Sequence, residues 1–271
     1  MSEGKNSRDV ILQDVHLQFE DYPVLDGVSA RFPAGKTTIV MGPSGSGKST
    51  LLKAASGLVP VEGGKVFMLG KHLASITDRE ERELRRRNGF VFQDGALWQN
   101  LTVYQNLALP LQFHFPGIVR AEIERRISHH LHGLGFDHQM NLRPAQISIG
   151  ERKIISFFRA LILDPELIFM DEPTSSVDHN TADRMIRTIR HLRESGKTMI
   201  IATHSAELTS LIADDLLVMK AGKIIEHGPL QEVVRSTQPE VTEILTDVLS
   251  QTATYDGDIL KLLDPETDPF S

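Results

Sequence analysis

The sequence predicts an α/β fold in which a mostly parallel central sheet is joined by an antiparallel β subdomain and a helical subdomain. Three observations indicate this. A glycine-rich loop at residues 42–50 lies between a strand-like apolar run at 37–41 and a helical segment. Two further short apolar runs, at 167–170 and 199–202, have the composition of strands that are buried on both faces. These runs alternate with amphipathic helices, which is the pattern of a parallel sheet covered by helices.

The first elements along the chain are β-strands. Apolar and polar residues alternate through residues 10–32, and this period of two predicts an antiparallel, hairpin-like sheet ahead of the glycine-rich loop. Residues 57–70 predict a further short strand pair that ends at a glycine turn. Residues 88–93 predict a strand that ends in a polar side chain, Gln93.

The middle and the end of the chain are predicted to be largely helical. Apolar residues recur at helical spacing between residues 95 and 146, so we expect a helical subdomain inserted at about 95–160. Residues 181–193 predict an amphipathic helix between two central strands. The main domain is expected to span residues 8–230, and residues 231–271 form an acidic C-terminal extension with an amphipathic helical pattern.

The composition of the chain excludes several classes of protein. The 271 residues carry a formal net charge of −7, which provides no basic footprint for nucleic acid. The chain has no cysteine, so disulfides and thiolate metal sites are excluded. No apolar run reaches the roughly 18 residues that span a bilayer, and the first residues do not have the pattern of a signal peptide. We therefore expect a cytoplasmic protein with no nucleic-acid partner.

The glycine-rich loop has the residues of a nucleoside triphosphate cradle. Its glycines allow successive backbone N–H groups to turn towards a β-phosphate, and the N-terminus of the following helix favours an anion. Lys48 supplies a cation for the β- and γ-phosphate oxygens, and the Ser49 hydroxyl suits a Mg²⁺ ligand. We expect ATP or GTP with Mg²⁺ here, bound by nine consecutive residues: Gly42, Pro43, Ser44, Gly45, Ser46, Gly47, Lys48, Ser49 and Thr50.

A second constellation is a buried strand that ends in two adjacent carboxylates, Asp171 and Glu172. Consecutive side chains of a strand point to opposite faces, so the two acids are expected to have different roles. Asp171 can reach the Mg²⁺ shell. Glu172 can face the γ-phosphate and polarise a water molecule, which is the arrangement of a general base.

In their order along the chain, these motifs resemble those of an ABC-type ATPase subunit over about residues 8–230. The phosphate loop is followed by Gln93, by a segment around Ser148, by the acid pair at 171–172 and by His204. The resemblance implies a P-loop NTPase fold of ABC type that binds ATP with Mg²⁺ and hydrolyses it. It also implies two partners, a second ATPase subunit that is expected to be identical and an integral membrane permease.

The same resemblance implies a role for each of several residues. Gln93 corresponds to the glutamine that lies near Mg²⁺ and the attacking water and links the site to the helical subdomain. His204 corresponds to the histidine that contacts the γ-phosphate, and Asp178 to the acid that reaches the opposing subunit's phosphate loop. Phe19, or failing it Tyr22, stands where the family stacks an aromatic ring on adenine. The alternative for Phe19 is an ordinary core aromatic.

The signature loop of the family is altered in this chain. Ser148 and Gly150 are kept, and we expect them to bind the opposing subunit's phosphate at the helix N-terminus. Ile149 replaces a glycine, and a positive φ at this β-branched residue would cost about 1–3 kcal/mol. Glu151 places a carboxylate near a polyanion unless it points away, and Ile154 stands where an arginine is common. Either the loop adapts and the enzyme is active, which we favour, or the chain depends on a partner with a standard signature.

Residues 92–103 are the segment expected to touch a membrane partner. Their Gly-Ala-Leu-aromatic run followed by Leu-Thr-Val is similar to the ATPases of MCE-type (Mla-like) lipid transport systems. This similarity implies transport of phospholipid or a related lipid across the cell envelope, with the chain peripheral on the cytoplasmic side of the inner membrane. Ala96, Leu97 and Trp98 would line a groove for a permease helix. The alternative places Trp98 in the core of the subdomain.

Two alternatives stay open at the level of the sequence. The apolar stripe of the C-terminal extension either docks on a neighbouring subunit or a small regulatory protein, or closes the domain as an ordinary helix. The chain as a whole is a transport ATPase for lipid or for another solute, or a non-transport ABC ATPase that regulates a membrane complex of the cell-division type.

Overall fold

The structure, a computed structural model, describes residues 8–131 and 139–250, apart from the side chains of residues 249 and 250. The strands in these ranges are β1 (Val10–Phe19), β2 (Tyr22–Phe32), β3 (Thr37–Met41), β4 (Gly63–Met68), β5 (Lys71–His72), β6 (Asn88–Val91), β7 (Leu167–Asp171), β8 (Thr198–Ala202), β9 (Asp215–Lys220) and β10 (Lys223–Pro229). The helices are α1 (Lys48–Ala55), α2 (Asp78–Arg86), α3 (Val103–His114), α4 (Arg120–Leu131), α5 (Ile149–Leu161), α6 (His179–Glu194), α7 (Ala206–Ile212), α8 (Leu230–Val234) and α9 (Pro239–Ser250).

Six strands form the central sheet in the order β10-β9-β3-β8-β7-β6. Five of them run parallel, and β10 joins the edge antiparallel to β9, which confirms the mostly parallel sheet. Every residue of β3, β7 and β8 is buried, as expected for short aliphatic strands covered on both faces. The carboxyl ends of β3, β6, β7 and β8 therefore meet at one edge of the sheet.

A second sheet is antiparallel and has the order β2-β1-β4-β5. β1 pairs with β2 from end to end, which confirms the predicted hairpin. The strand pair predicted within residues 57–70 is wrong in its first half, because β4 pairs with β1 and with the two-residue β5. The residues before β4 close α1 instead, since the N–H groups of Gly57 and Leu58 donate to carbonyls of the last turn of that helix.

Three helices, α3, α4 and α5, lie in the stretch for which the sequence predicts helical structure. The short helix α2 was not predicted, because Leu84 is its one buried residue and it has no apolar stripe. Its signal in the sequence is a capping box, in which Thr77 and Glu80 each bond the backbone N–H of the other. Within the described ranges, no helix combines the length and apolar character that crossing a bilayer requires.

The described part of the C-terminal extension packs on its own domain. Glu240 of α9 forms an ion pair of 2.8 Å with Lys220 at the end of β9. The apolar stripe of α9 is buried in the main core, as the ordinary-helix alternative expects; it consists of Val241, Ile244, Leu245 and Val248. Over residues 239–248, this stripe is therefore not free for a partner. The remainder of the predicted extension lies outside the described residues.

Candidate functional site

The phosphate loop connects β3 to α1 through a backbone that passes very close to its neighbours. Gly42 has a φ of 157° and Gly47 a φ of 100°. A Cβ atom on Gly42 would lie 2.2 Å from the carbonyl oxygen of Met219, and one on Gly47 would lie 2.7 Å from that of Val24. Both neighbours are backbone atoms that cannot move aside, so the loop requires glycine at these two positions. The glycines that the predicted phosphate cradle contains are thus required by the backbone of the loop itself.

Lys48 begins α1 and is buried. Its ammonium donates to the carbonyl oxygens of Gly42 at 2.7 Å and Pro43 at 3.0 Å. Burial lowers the pKa of Lys48, whereas the nearby carboxylates of Glu172 and Asp171 act to raise it. With no acidic side chain in its first turn, α1 directs a positive helix end and this ammonium towards the loop.

Four parallel strands deliver the predicted site residues to the same edge of the sheet. The phosphate loop follows β3, and Asp171 is the last residue of β7. Gln93 is exposed in the turn two residues beyond β6, which ends at Val91 rather than at Gln93 as predicted. His204 comes two residues after β8. The carboxyl edge of a parallel sheet is the usual place for a ligand in such folds.

Asp171 and Glu172 differ in conformation as well as in position. Asp171 is a buried strand residue. Glu172 has a φ of 46°, and its N–H donates to the carbonyl oxygen of Ala202 on β8. The alternation of side chains expected for a strand therefore does not extend to Glu172, because the strand has already ended. Asp171 ends the strand, and Glu172 begins the turn that follows it.

Glu172 and His204 form a close pair. His204 Nε2 lies 3.2 Å from Glu172 Oε1. Burial raises the pKa of Glu172 to about 7, helped by the charge of Asp171, although a hydrogen bond from the His204 backbone and the charges of Lys48 and Lys153 oppose the rise. Burial also lowers the pKa of His204. A carboxyl group with this pKa can take up and release a proton near neutral pH.

The donors near this edge suit Mg²⁺ rather than a metal enclosed by protein ligands. Ser49, Gln93 and Asp171 offer a hydroxyl, an amide oxygen and a carboxylate, which are the hard oxygen ligands that Mg²⁺ prefers. Across residues 8–131 and 139–250, no group of three or more histidine and acidic side chains could hold a metal ion. A cation at this site would complete its coordination with phosphate oxygens and water.

The two aromatic candidates for adenine stacking lie together at the end of the first hairpin. Phe19 and Tyr22 are register partners, and 56% and 76% of their surfaces are exposed. Phe19 is therefore not an ordinary core aromatic. Both rings are accessible to a base.

The signature segment begins α5 without backbone strain. Ser148 is the N-cap, Ile149 is the first helical residue, and neither Ile149 nor Gly150 has a positive φ. The expected cost of a left-handed isoleucine is therefore wrong, because this segment is a helix start and not a glycine turn. Ile149 is 65% exposed, which leaves its side chain at the open end of the helix.

Glu151 is occupied by the same helix start. Its carboxylate accepts hydrogen bonds from the backbone N–H of Ser148 and from Gln139 Nε2, each at 2.7 Å. In return the Ser148 hydroxyl accepts the N–H of Glu151, which completes a capping box. The carboxylate thus points back along the helix end, and the hydrogen bond from Ser148 lowers its pKa. The side chains of Ile147, just before this segment, and of Ile154 are buried in the core.

Asp178 is likewise used within its own chain. It caps α6 by accepting the N–H of Thr181 at 3.1 Å and the Thr181 hydroxyl at 2.6 Å. These hydrogen bonds lower the pKa of Asp178 and keep it ionised. The helix predicted at 181–193 therefore starts two residues earlier, at His179.

The segment at residues 95–102 is held in place by a buried polar residue that the sequence analysis missed. Asn106 of α3 accepts the N–H of Trp98 and donates to the carbonyl oxygens of Trp98, Leu101 and Thr102. Its signal in the sequence is an asparagine beside the apolar stripe of a helix. Trp98 is 59% exposed, so its placement in the subdomain core is wrong, whereas Leu97 is buried and cannot line an open groove.

Comparison with known proteins identifies the type of ATPase. Residues 25–175 match the family model described as ABC transporter. The chain is 34% identical to the methionine import ATP-binding protein MetN of Mesorhizobium japonicum over 88% of this chain and 66% of that protein. It is 34% identical to the protein of the same name from Bordetella pertussis, over 85% of this chain and 62% of that protein. It is 31% identical to the one from Clostridioides difficile, over 84% of this chain and 71% of that protein. The chain thus spans about two thirds of the length of these relatives, none of which is named for lipid transport.

Solved structures with the same fold include other ATP-binding cassettes. One is a dimeric cassette in a post-hydrolysis state bound to ADP and Pi, with a TM-score of 0.76 and 28% identity over 82% of this chain and 99% of that one. Another is cbiO1 from Clostridium perfringens, part of the ABC transporter complex cbiONQ, with a TM-score of 0.69 and 25% identity over 91% and 97% of the two chains. The nucleotide is therefore ATP, used with Mg²⁺, and the reaction is its hydrolysis. The chain belongs to the ABC transporter family, as an ATP-binding subunit.

Proposed function

We propose that this chain hydrolyses ATP with Glu172 as general base and uses the cycle to drive a membrane permease. The observation that best supports this is a partly buried carboxyl group with a pKa near 7, which lies 3.2 Å from His204 at the carboxyl edge of the sheet. A base whose pKa is close to the working pH is well matched to accepting a proton from water. The charge of Lys48 beside it leaves the carboxylate form accessible at neutral pH.

The neighbouring residues have separate tasks in this proposal. Lys48 exchanges its bonds to the loop carbonyls for bonds to the β- and γ-phosphate oxygens, and the loop N–H groups surround the β-phosphate. Ser49, Gln93 and Asp171 would hold Mg²⁺, which neutralises charge on the phosphates. His204 would contact the γ-phosphate, and its Nε2 lies 3.2 Å from Glu172 Oε1, an oxygen to which the described residues donate no hydrogen bond.

A second, identical copy would complete each site. The N-terminus of α5 presents Ser148, Ile149 and Gly150 on an exposed surface, where helix N–H groups can bind the γ-phosphate held by the other copy. Phe19 or Tyr22 would stack on the adenine. Asp178 would lie at the same dimer contact. The dimeric state of a similar cassette supports this arrangement, and a two-fold dimer is the commonest closed assembly.

The permease would dock beside Trp98. This exposed side chain belongs to a segment whose backbone is fixed by Asn106. A cavity of 730 Å³ that Trp98 does not line offers a second surface for a permease helix, and its lining combines apolar side chains such as Leu58 and Phe113 with charged ones such as Arg85. Such docking would hold the chain at the cytoplasmic face of the membrane. The membership of cbiO1 in a transporter complex is consistent with a partner of this kind.

The cargo is a property of the permease, since the proposed cycle needs no cargo pocket in this chain. We propose a phospholipid or related lipid, because residues 95–103 are similar to the corresponding segment of MCE-type ATPases and leave Trp98 exposed. Methionine import is the second candidate, favoured by the names of the relatives. Purifying the chain with its permease, extracting bound lipid and measuring methionine uptake would separate the two cargoes.

Glu172→Gln tests the assignment of the base. The variant should bind Mg-ATP, form the ATP-bridged dimer and lose at least about 100-fold in kcat, because an amide cannot accept the proton. ATP binding by calorimetry, dimerisation by light scattering and phosphate release would measure the three properties. Hydrolysis close to that of the original chain would mean that another group is the base.

A further inference from the structure

Lys153 is a charged side chain inside the core of the protein. It follows Ser148 by five residues on α5, and only 3% of it is exposed. Its ammonium donates to the carbonyl oxygen of Ser175 at 2.7 Å and to Ser175 Oγ at 2.6 Å. Burying an ammonium is unfavourable unless hydrogen bonds and opposite charges compensate. Here the hydrogen bonds come from a single residue, which lies three positions after Glu172.

Ser175 connects Lys153 to the turn that carries the proposed base. The Ser175 hydroxyl donates to the carbonyl oxygen of Glu172 at 3.1 Å, and its N–H donates to the same oxygen at 3.3 Å. Glu172 and Ser176 have φ values of 46° and 60°. Left-handed conformations are unfavourable in residues with a Cβ, so such a turn keeps its shape only where surrounding contacts hold it. Lys153 makes such a contact from a different helix.

The charge of Lys153 also acts on the carboxylates of the site. Burial lowers the pKa of Lys153, while Glu172, Asp171 and Asp94 act to raise it. Lys153 in turn opposes the rise in the pKa of Glu172, together with Lys48 and a hydrogen bond from His204. The ammonium is therefore joined to the site by hydrogen bonds and by charge.

We propose that Lys153 is a positioning residue that couples the signature end of α5 to the catalytic turn of the same chain. The proposal rests on the proposed function, in which Glu172 acts on the chain's own nucleotide while Ser148 binds the one held by the second copy. α5 is an uninterrupted helix of 13 residues, so a shift of its N-terminus moves Lys153 with it. The bonds to Ser175 pass that shift to the turn. Closure around one nucleotide then organises the base at the other, and hydrolysis is cooperative in ATP.

The test compares four variants of the full chain. Lys153→Met retains an apolar stem of similar length and removes the ammonium. We expect its kcat to fall about 20-fold or more while its KM for ATP changes less than about threefold. The Hill coefficient for ATP should fall to about one. Ser175→Ala keeps the carbonyl acceptor and should lose about 3–10-fold in kcat with reduced cooperativity. Lys153→Arg keeps the cation and should recover part of the rate. Lys65→Met, at an exposed lysine of β4, is the matched control and should match the original chain.

A residue needed only for folding would behave differently. Lys153→Met would then melt at a lower temperature and lose kcat only in proportion to the folded fraction, with its Hill coefficient unchanged, and that result overturns the proposal. A Lys153→Met variant that hydrolyses ATP within about twofold of the rate of the original chain also overturns the proposal. Should Lys153→Met fail to fold, Ser175→Ala decides the matter by keeping or losing cooperativity. If Glu172→Gln loses hydrolysis while Lys153→Met retains it, the coupling alone is wrong; if Glu172→Gln remains active, the assignment of the base is wrong.

Discussion

The two places where we propose that phosphate binds, the loop at the sheet edge and the N-terminus of α5, are built differently. At the sheet edge the backbone passes so close to Met219 that a Cβ on Gly42 would lie 2.2 Å from a carbonyl oxygen. At the start of α5 a Cβ on Gly150 would meet nothing within 4 Å, and Ile149 is accommodated without a positive φ. The sheet edge is specified by backbone geometry, whereas the helix end is specified by Ser148 and its capping box. Loss of a glycine is therefore tolerated at one end and not at the other.

The acid at the sheet edge, Glu172, and the acid at the start of α5, Glu151, also differ in the direction of their pKa shifts. Burial raises the pKa of Glu172 to about 7, so its charged form is kept in the folded protein at a cost. Hydrogen bonding to Ser148 lowers the pKa of Glu151, so its charged form contributes to the helix start. The charged form of Glu172 thus lowers the stability of the folded protein, whereas the charged form of Glu151 stabilises the helix start through a local hydrogen bond.

The largest effect is expected for Gly42→Ala. The new Cβ has no room beside Met219, so the loop must shift; we expect ATP hydrolysis to fall more than about 100-fold and stability to fall by about 2 kcal/mol or more. Phosphate release and thermal unfolding would measure the two effects. Gly45→Ala is the matched control, because a Cβ there meets nothing within 4 Å and only its φ of 78° is unfavourable, at about 1 kcal/mol. Equal losses in the two variants would contradict the close approach at Gly42.

The next effect concerns the dependence of stability on pH. The folded-state pKa of Glu172 is raised from 4.5 to about 7, so the folded protein binds more protons than the unfolded chain in this range and loses stability as the pH rises through it. The full rise corresponds to roughly 3 kcal/mol. Glu172→Gln should therefore melt at a higher temperature than the original chain at pH 8, and the difference should disappear towards pH 4. A difference that does not depend on pH would contradict the raised pKa.

A smaller effect is expected at the other acid. Glu151→Ala removes the reciprocal bond to the N–H of Ser148 and should lower stability by about 1 kcal/mol. Glu151→Gln is the control, because an amide oxygen can still accept that hydrogen bond. Chemical denaturation at pH 7 would compare them. If both variants lose the same amount, the charge of Glu151 matters more than its capping geometry.

The sequence predicted what depends on local pattern, and it failed where contacts join distant segments. The hairpin of β1 and β2, the buried strands and the phosphate loop follow from periodicity and glycine spacing. The bond from Lys153 to Ser175 does not follow from any such pattern, because these two residues are 22 positions apart on different elements. The left-handed conformation of Glu172 also has no signal in the sequence, since the residue is not a glycine. The opposite burial of Leu97 and Trp98 is set by Asn106 on the next helix, which no pattern within residues 95–102 reveals.

The smallest effect is expected for Ile149→Gly, which restores the residue usual in the family's signature. Ile149 begins α5 and is 65% exposed, so the change costs at most about 1 kcal/mol in helix propensity. If the helix N-terminus and Ser148 bind the phosphate in this chain as it stands, ATP hydrolysis should change less than about threefold. Steady-state phosphate release at saturating ATP would measure it, with Val119→Gly as a control at an exposed apolar residue away from α5. An increase of about tenfold or more in Ile149→Gly alone would show that the isoleucine obstructs the second copy's nucleotide, and the chain would then depend on a partner with a standard signature.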